Sequence, residues 1–140
     1  MFQQTQKAVQ LLQRLIATPS VSREETAAAD IIEQYLREHG CQPQRHHNNV
    51  WALSPDFDET RPTLLLNAHI DTVRPVSGWQ HDPFTPTIEG DRLYGLGSND
   101  CGGGLVTLLH VFLMKNEELR MKNEELRMKN EELRMKNEEL

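Results

Sequence analysis

Two short stretches combine residue types and spacing that suit metal chemistry. The first, Asn67 to Asp71, forms the end of an almost unbroken apolar run that begins at Thr63. Residues two apart in a strand point to the same face, so Asp71 could hydrogen-bond the ring nitrogen of His69 that does not face a metal. The alternative reading is a polar strand end, in which a nearby carbonyl satisfies His69.

The second stretch, Leu96 to Gly104, places one carboxylate among several glycines. Glycines let the backbone turn sharply and approach a bound ion closely, so Asp100 could bridge two metals. Glycine runs also cradle phosphates, but here no Lys follows, and the spacing matches neither the P-loop nor the dinucleotide fingerprint. Cys101 is interpreted as a small packing residue, because a thiol ligates or reacts only in an electropositive, accessible setting.

Two helices are predicted before these stretches. In the first helix the apolar residues recur at helical spacing: Ala8, Leu11, Leu12, Leu15 and Ile16. Pro19 ends this helix. Ser22 and Glu25 form a capping-box pattern that opens the second, which ends at Gly40. Its apolar face consists of Ala28, Ile31, Ile32, Tyr35 and Leu36.

The strands are predicted to form an α/β sheet. Val50 to Leu53 is predicted to be a strand, and the run Thr63 to Ala68 is typical of a strand covered on both faces. Glu89 to Asp91 is predicted to be a turn between Thr87-Ile88 and Leu93-Tyr94. Ligands in open α/β sheets bind beyond the carboxyl ends of strands, which is where His69 falls.

Composition limits the classes of partner. The 140 residues carry 15 Lys and Arg against 21 Asp and Glu, a net charge of −6. This balance provides no basic field for phosphates or an anionic membrane, so we expect neither nucleic acid nor membrane as a partner. Neither an export signal nor a membrane span is recognised. Cys41 and Cys101 stand apart without a CxxC partner, which favours the cytoplasm.

Residues 114 to 140 repeat Met-Lys-Asn-Glu-Glu-Leu-Arg, whereas residues 1 to 113 do not repeat. We interpret these as two segments joined by fusion, repeat expansion or a misjoined reading frame.

Leucines at every seventh position, from Leu119 to Leu140, continue the phase of Leu105 and Phe112, which predicts one helix from about Leu105 to the end. Glu118 is placed to pair with Lys122. Asn occupies the a positions of the heptad, which favours a solvated helix over a strong coiled coil and leaves weak self-association as the alternative.

Several ordered motifs together resemble one enzyme family. They are His69-x-Asp71, the stretch Gly78 to Pro86, and the stretch Leu93 to Asp100. Residues 17 to 22 are also similar to the family's start, so the resemblance covers nearly all of residues 4 to 113. The family contains acetylornithine deacetylase, succinyl-diaminopimelate desuccinylase and related zinc carboxypeptidases.

The resemblance implies a partial zinc-aminopeptidase-like three-layer sheet domain, followed by the long helix. It also implies that His69 binds one zinc, that Asp71 acts as the catalytic residue orienting His69, and that Asp100 bridges two zinc ions. After the bridging Asp the family commonly has Met-Lys-Gly, but here Cys101 and two glycines follow. This departure leaves the subfamily and the substrate open.

The resemblance further implies a Glu general base, another acidic ligand and a late His downstream, none of which stands here in a recognisable context. The Glu-Glu pairs of the repeat lie in helical Asn-Glu-Glu-Leu settings. We interpret three of the other histidines as solvated surface: His39, His46 and His47. His110 is interpreted as a packing residue, and His81 precedes Asp82 in a loop.

We therefore expect a fragment of a zinc amidohydrolase that resembles acetylornithine deacetylase, acts on a small N-acyl amino acid and is inactive as it stands. The alternative is a non-enzymatic helical oligomerisation or fusion protein. An unpaired edge at residues 63 to 68, or the repeat helix, is expected to cause self-association.

Overall fold

The computed structural model describes residues 2–138, which form three helices, four short strands and one π-helical turn. In chain order they are α1 (Phe2–Ile16), α2 (Thr26–Glu38), β1 (Gln44–His46), β2 (Asn49–Trp51), β3 (Thr87–Glu89), β4 (Arg92–Tyr94), the π-helical turn (Ser98–Gly103) and α3 (Gly104–Glu138). Both predicted helices of the amino-terminal part and the helix that begins near Leu105 are confirmed.

The core lies where the three helices pack together. Its buried side chains come from one stripe on each helix: Leu11, Leu12 and Ile16 of α1, Ile32, Tyr35 and Leu36 of α2, and Val106 of α3. Leu11 is 1% exposed, and burying a leucine this completely contributes about 1.5–3 kcal/mol. Apolar residues at positions i, i+3 and i+4 share a helix face, which is why the sequence spacing identified these stripes.

The predicted capping box at the start of α2 is wrong. The N-cap residue is Glu25, and among the described residues no side chain caps the helix through a hydrogen bond. The backbone N–H of Arg23 donates to the Glu25 carboxylate, while the Ser22 hydroxyl donates to Asp71 instead. Other contacts have taken both side chains of the pattern, a local one for Glu25 and a tertiary one for Ser22, at a cost of about 1 kcal/mol for the missing cap.

Two antiparallel hairpins supply the regular sheet. Strand β1 pairs with β2 in the register Arg45 opposite Val50, so the predicted strand at Val50 exists but is shorter than expected. Strand β3 pairs with β4 with Ile88 opposite Leu93, which confirms the predicted turn around Gly90. Gly90 has φ +62°, a conformation that glycine adopts without a steric cost.

The prediction of a covered strand from Thr63 to Ala68 is wrong in this structure. Leu64 is 83% exposed and Leu65 is 80% exposed, and within residues 2–138 this run pairs with no other segment. An apolar run indicates what burial would favour, but a strand also needs a neighbour that supplies N–H and C=O partners. Among the described residues, the parallel α/β sheet is therefore represented only by an isolated bridge, Val21 to Thr72.

Helix α3 runs without a break across the start of the repeat, from Gly104 to Glu138. The first repeat packs against the rest of the molecule: Asn116 accepts a hydrogen bond from the Ser54 hydroxyl at 3.0 Å and lies 3.9 Å from the Cys41 sulfur. All described residues from 120 onward are exposed.

The predicted pair Glu118 to Lys122 is confirmed at 2.9 Å, whereas Glu139 and Leu140 lie outside the described residues. No helix among residues 2–138 is long and apolar enough to cross a membrane.

Candidate metal centre

The segment from His69 to Thr72 is held against the chain that follows α1. The Thr72 backbone N–H donates to the Ser20 carbonyl at 2.8 Å, and the Ser22 N–H donates to the Thr72 carbonyl at 3.2 Å. These bonds frame the parallel bridge between Val21 and Thr72. Because α1 is anchored in the helical core, this pairing fixes the position of His69 relative to the core.

Asp100 is carried by the glycine-rich turn that leads into α3. Gly97 starts this turn with φ +75°, and its carbonyl accepts the N–H of Gly102 at 2.8 Å. Asp100 and Cys101 depart from helical geometry, and the peptide bond between them is cis. The turn projects the Asp100 side chain outward, where it is 92% exposed.

His69 lies between the two predicted carboxylates. Its Nε2 is 3.0 Å from Oδ1 of Asp100, 31 residues further along the chain. Its Nδ1 is 3.0 Å from the Asp71 carbonyl and 3.1 Å from Oδ1 of the same residue. The structure thus brings together all three residues that the motifs singled out, and each ring nitrogen faces a different carboxylate.

The charges of this cluster reinforce one another. The pKa of His69 is raised, first by its hydrogen bond to Asp100 and then by Asp71, because both carboxylates favour the imidazolium. The pKa of Asp71 is lowered, first by the hydrogen bond that Ser22 donates and also by the charge of His69. Asp71 is therefore an ionised acceptor near neutral pH.

A cavity of about 320 Å³ opens beside the cluster. Its lining includes His69, Asp71, Asp100, Trp79 and residues 95 to 99. A smaller cavity of about 30 Å³ lies beneath, between α1 and the glycine-rich turn. The larger one combines a few polar groups with an aromatic surface, as small-molecule sites do.

The donor types fit zinc, but their number does not complete a site. Imidazole nitrogen and carboxylate oxygen are both zinc ligands, and Nε2 of His69 lies 3.0 Å from Oδ1 of Asp100. A catalytic zinc takes three protein ligands, and residues 2–138 contain no group of three or more His, Cys, Asp or Glu arranged to hold a metal ion. The cluster therefore offers two of the donor groups that a zinc site would need.

The remaining histidines lie away from this cluster. His110 is buried; its Nδ1 lies 2.8 Å from the Val106 carbonyl and its Nε2 lies 2.9 Å from the Tyr35 hydroxyl, which confirms the packing interpretation. His81 stacks on Tyr94 with ring centroids 4.6 Å apart. His39 closes the end of α2, and His46 and His47 lie exposed at the first hairpin.

The sequence analysis missed Ser22 as a member of the cluster. Its hydroxyl donates to Oδ2 of Asp71, 49 positions further along the chain. The capping-box pattern assigned this hydroxyl to α2, and local spacing alone contains no information about the parallel bridge that brings residues 22 and 71 together. The similarity of residues 17 to 22 to the start of a hydrolase family was the available signal.

Comparisons with known proteins agree with the resemblance. Residues 65–128 match the model of peptidase family M20/M25/M40, a match that extends into the repeat. The chain is 34% identical over 108 residues to the succinyl-diaminopimelate desuccinylase of Blochmanniella floridana, covering 72% of this chain and 28% of that protein. The corresponding enzyme of Gluconobacter oxydans is 44% identical over 57 residues, or 41% of this chain and 15% of that protein.

A third relative, the succinyl-diaminopimelate desuccinylase of Buchnera aphidicola, is 36% identical over 107 residues, covering 71% of this chain and 27% of that protein. The chain thus spans less than a third of the length of these curated relatives. The relatives named here are desuccinylases, whereas the motifs alone had placed acetylornithine deacetylase first. The amino-terminal part of this chain, which carries His69, Asp71 and Asp100, belongs to the peptidase family M20/M25/M40.

Proposed function

We propose that this chain provides the amino-terminal part of the metal site of a zinc-dependent amidohydrolase that acts on a small N-acyl amino acid. The observation that supports it is the convergence of His69, Asp71 and Asp100 beside a cavity of about 320 Å³. His69 and Asp100 would hold zinc, with Asp100 shared between two ions. The partial three-layer sheet domain, the boundary at residue 113 and a cytoplasmic location belong to the same proposal.

Each residue has a defined task in this proposal. Asp71 accepts the hydrogen bond of Nδ1 and keeps the proton there, so that Nε2 of His69 is the nitrogen presented to the cavity. Asp100 contributes a carboxylate from the opposite side of the ring. When bound, zinc supplies Lewis-acid polarisation of the scissile amide carbonyl. Trp79 offers an apolar surface against which the acyl group or the amino acid can pack.

The first substrate to test is an N-succinyl amino acid. The relatives named above are desuccinylases, so N-succinyl-diaminopimelate takes precedence over N-acetylornithine. Both substrates present an amide beside a free carboxylate, and they differ in the charge of the acyl group. A succinyl group carries a carboxylate that an acetyl group lacks, and this carboxylate needs a cationic partner near the cavity.

We expect the 140-residue polypeptide alone to hydrolyse neither substrate faster than its His69→Ala variant, even with zinc added. The described residues supply two ligands of the three that a catalytic zinc requires, and the cluster has no Glu placed as a general base. Product release with each substrate, measured with and without zinc, tests this. Zinc-dependent turnover that is lost in Asp100→Ala would show that the chain is a complete enzyme.

A second function has one observation in its favour: residues 120 to 138 of α3 are exposed throughout the described part of the helix. A free helix of this length could serve as an oligomerisation or display element. If the helix is an oligomerisation element, the protein forms an assembly, and a peptide of residues 114 to 140 alone forms the same assembly. Light scattering of both samples therefore distinguishes the two functions.

A further inference from the structure

Ser22 contacts the candidate metal centre from outside the predicted motifs. Its Oγ donates a hydrogen bond to Oδ2 of Asp71, and the other carboxylate oxygen of Asp71 lies 3.1 Å from Nδ1 of His69. Nε2 of His69 then lies 3.0 Å from Asp100. A continuous series of polar contacts therefore leads from the Ser22 hydroxyl to the point where the two predicted zinc ligands meet.

Backbone pairing places Ser22 beside Asp71. The Ser22 N–H donates to the Thr72 carbonyl at 3.2 Å, and the Thr72 N–H donates to the Ser20 carbonyl at 2.8 Å. In this parallel pairing, position 22 lies next to residues 71 and 72 whatever its side chain is. A hydroxyl at this position consequently meets the Asp71 carboxylate without the ordering of a long side chain.

Asp71 needs such a restraint because its side chain is 39% exposed. An exposed carboxylate rotates readily about its last torsion, which is broad and nearly two-fold. With Oδ2 held by Ser22, Oδ1 stays directed at His69. Nδ1 of His69 then faces two oxygens of Asp71, at 3.0 and 3.1 Å, whereas the single oxygen facing Nε2 belongs to an almost fully exposed side chain. This asymmetry favours the tautomer with the proton on Nδ1.

We propose that Ser22 is a positioning residue, which fixes the Asp71 carboxylate so that His69 keeps its proton on Nδ1 and presents Nε2 to the cavity. The consequence for zinc rests on the proposed function, whereas the consequence for the ring tautomer does not. The helix-capping role that the sequence suggested for Ser22 is not realised, because Glu25 occupies the N-cap position of α2.

The test compares Ser22→Ala, Ser22→Thr and Ser20→Ala in the full chain. Ser22 is exposed, so truncation to Ala removes no core packing, and Thr retains the hydroxyl. Ser20 pairs with Thr72 through its backbone carbonyl, so Ser20→Ala preserves the pairing and serves as the matched control. Competition with a chromophoric chelator measures zinc affinity, and long-range ¹H–¹⁵N spectra of the metal-free protein measure the His69 tautomer at a pH where the ring is neutral.

We expect Ser22→Ala to lower zinc affinity by up to about tenfold, the lower end of the loss that follows removal of a ligand's own hydrogen-bond partner, because Ser22 acts on His69 through Asp71. The same variant should convert a predominantly Nδ1-protonated ring into a mixture of tautomers, while Ser22→Thr and Ser20→Ala behave as the wild type. If the wild type binds no zinc, the proposed function fails, and the tautomer comparison still decides the role of Ser22.

An unchanged tautomer in Ser22→Ala would overturn the proposal. So would faster amide exchange at residues 26 to 28 without a change in the ring, since that result would identify Ser22 as a cap of α2.

Discussion

Gly97 shows how a single residue determines the position of Asp100. Its φ of +75° is unfavourable for other residues, and a β-carbon built on it would lie 2.6 Å from Cγ2 of Thr72. Thr72 belongs to the segment that carries His69 and Asp71, so Gly97 marks the place where the two predicted motifs touch. A side chain here would separate the glycine-rich turn from the His69 segment.

We predict that Gly97→Ala destabilises the protein more than Gly78→Ala does. Gly78 also has a positive φ, +97°, but a β-carbon there would have no neighbour within 4 Å. Backbone strain should cost about 1–3 kcal/mol at either position, and crowding against Thr72 should add about 1–3 kcal/mol at Gly97 only. Urea denaturation of both variants measures the difference, and equal losses would show that the contact with Thr72 is unimportant.

The motif residues could be predicted individually from their types and spacing, and their convergence could not. His69 and Asp71 are two positions apart, so their contact follows from local geometry. The approach of Asp100 to His69 depends on the path of the chain through Gly97, and the approach of Ser22 to Asp71 depends on one parallel bridge. Spacing along the chain encodes neither of these long-range arrangements.

At the scale of elements, the apolar run that the sequence assigned to a buried strand is largely exposed. Leu64 and Leu65 are 83% and 80% exposed, whereas helix stripes of similar apolar content are buried. A helix satisfies its own backbone and needs only a face to pack against, but a strand needs a partner on at least one edge. Helices α1, α2 and α3 were therefore predictable from pattern, as were the positions of the two hairpins, whereas the state of residues 63 to 68 was not.

We predict that the protein self-associates through residues 63 to 68 and that Leu65→Lys reduces this association. A lysine in an edge segment opposes pairing with a second chain, because it brings like charges together and introduces a group that must stay hydrated. Leu126→Lys is the matched control, since Leu126 is 58% exposed on the repeat helix. Light scattering over a concentration series gives the mass. If Leu126→Lys dissociates the protein and Leu65→Lys does not, the repeat helix is the interface.

Glu118 gives α3 a pH dependence that can be measured. Hydrogen bonds from Lys115 and Lys122 lower the pKa of Glu118 from 4.5 to about 2. A carboxyl group with a lowered folded-state pKa stabilises the folded state fully above its unfolded-state pKa, and this contribution is lost as the pH falls toward about 2. We therefore expect helix content around the first repeat to fall between pH 4.5 and pH 2.

Carboxyl ¹³C spectra of Glu118 test the assignment. Lys115→Ala should raise the pKa of Glu118, while Lys129→Ala, further along α3, should leave it unchanged. Added salt should act in the same direction as Lys115→Ala, because both groups are exposed and their attraction is screened. A Glu118 pKa that does not respond to Lys115→Ala would show that the pair contributes nothing in solution.

At the scale of the whole molecule, one helical core supports the cluster of His69, Asp71 and Asp100. The buried side chains of α1, α2 and α3 form the core, and the segments that carry His69 and Asp100 are tied to it through α1 and the start of α3. The relatives that the chain matches are more than three times longer than the matched part. We propose that this part of the family's fold brings His69 and Asp100 together as zinc ligands.

Zinc binding to the metal-free chain, measured by titration calorimetry at neutral pH, tests this claim most directly. The wild type should bind zinc weakly, because two ligands leave the rest of the coordination sphere to water. His69→Ala and Asp100→Asn should abolish this binding. The double variant His46→Ala/His47→Ala should retain it, although those adjacent exposed rings, with centroids 4.4 Å apart, are the obvious competing site. Zinc binding that survives His69→Ala, or that disappears only in the His46/His47 variant, would contradict the account.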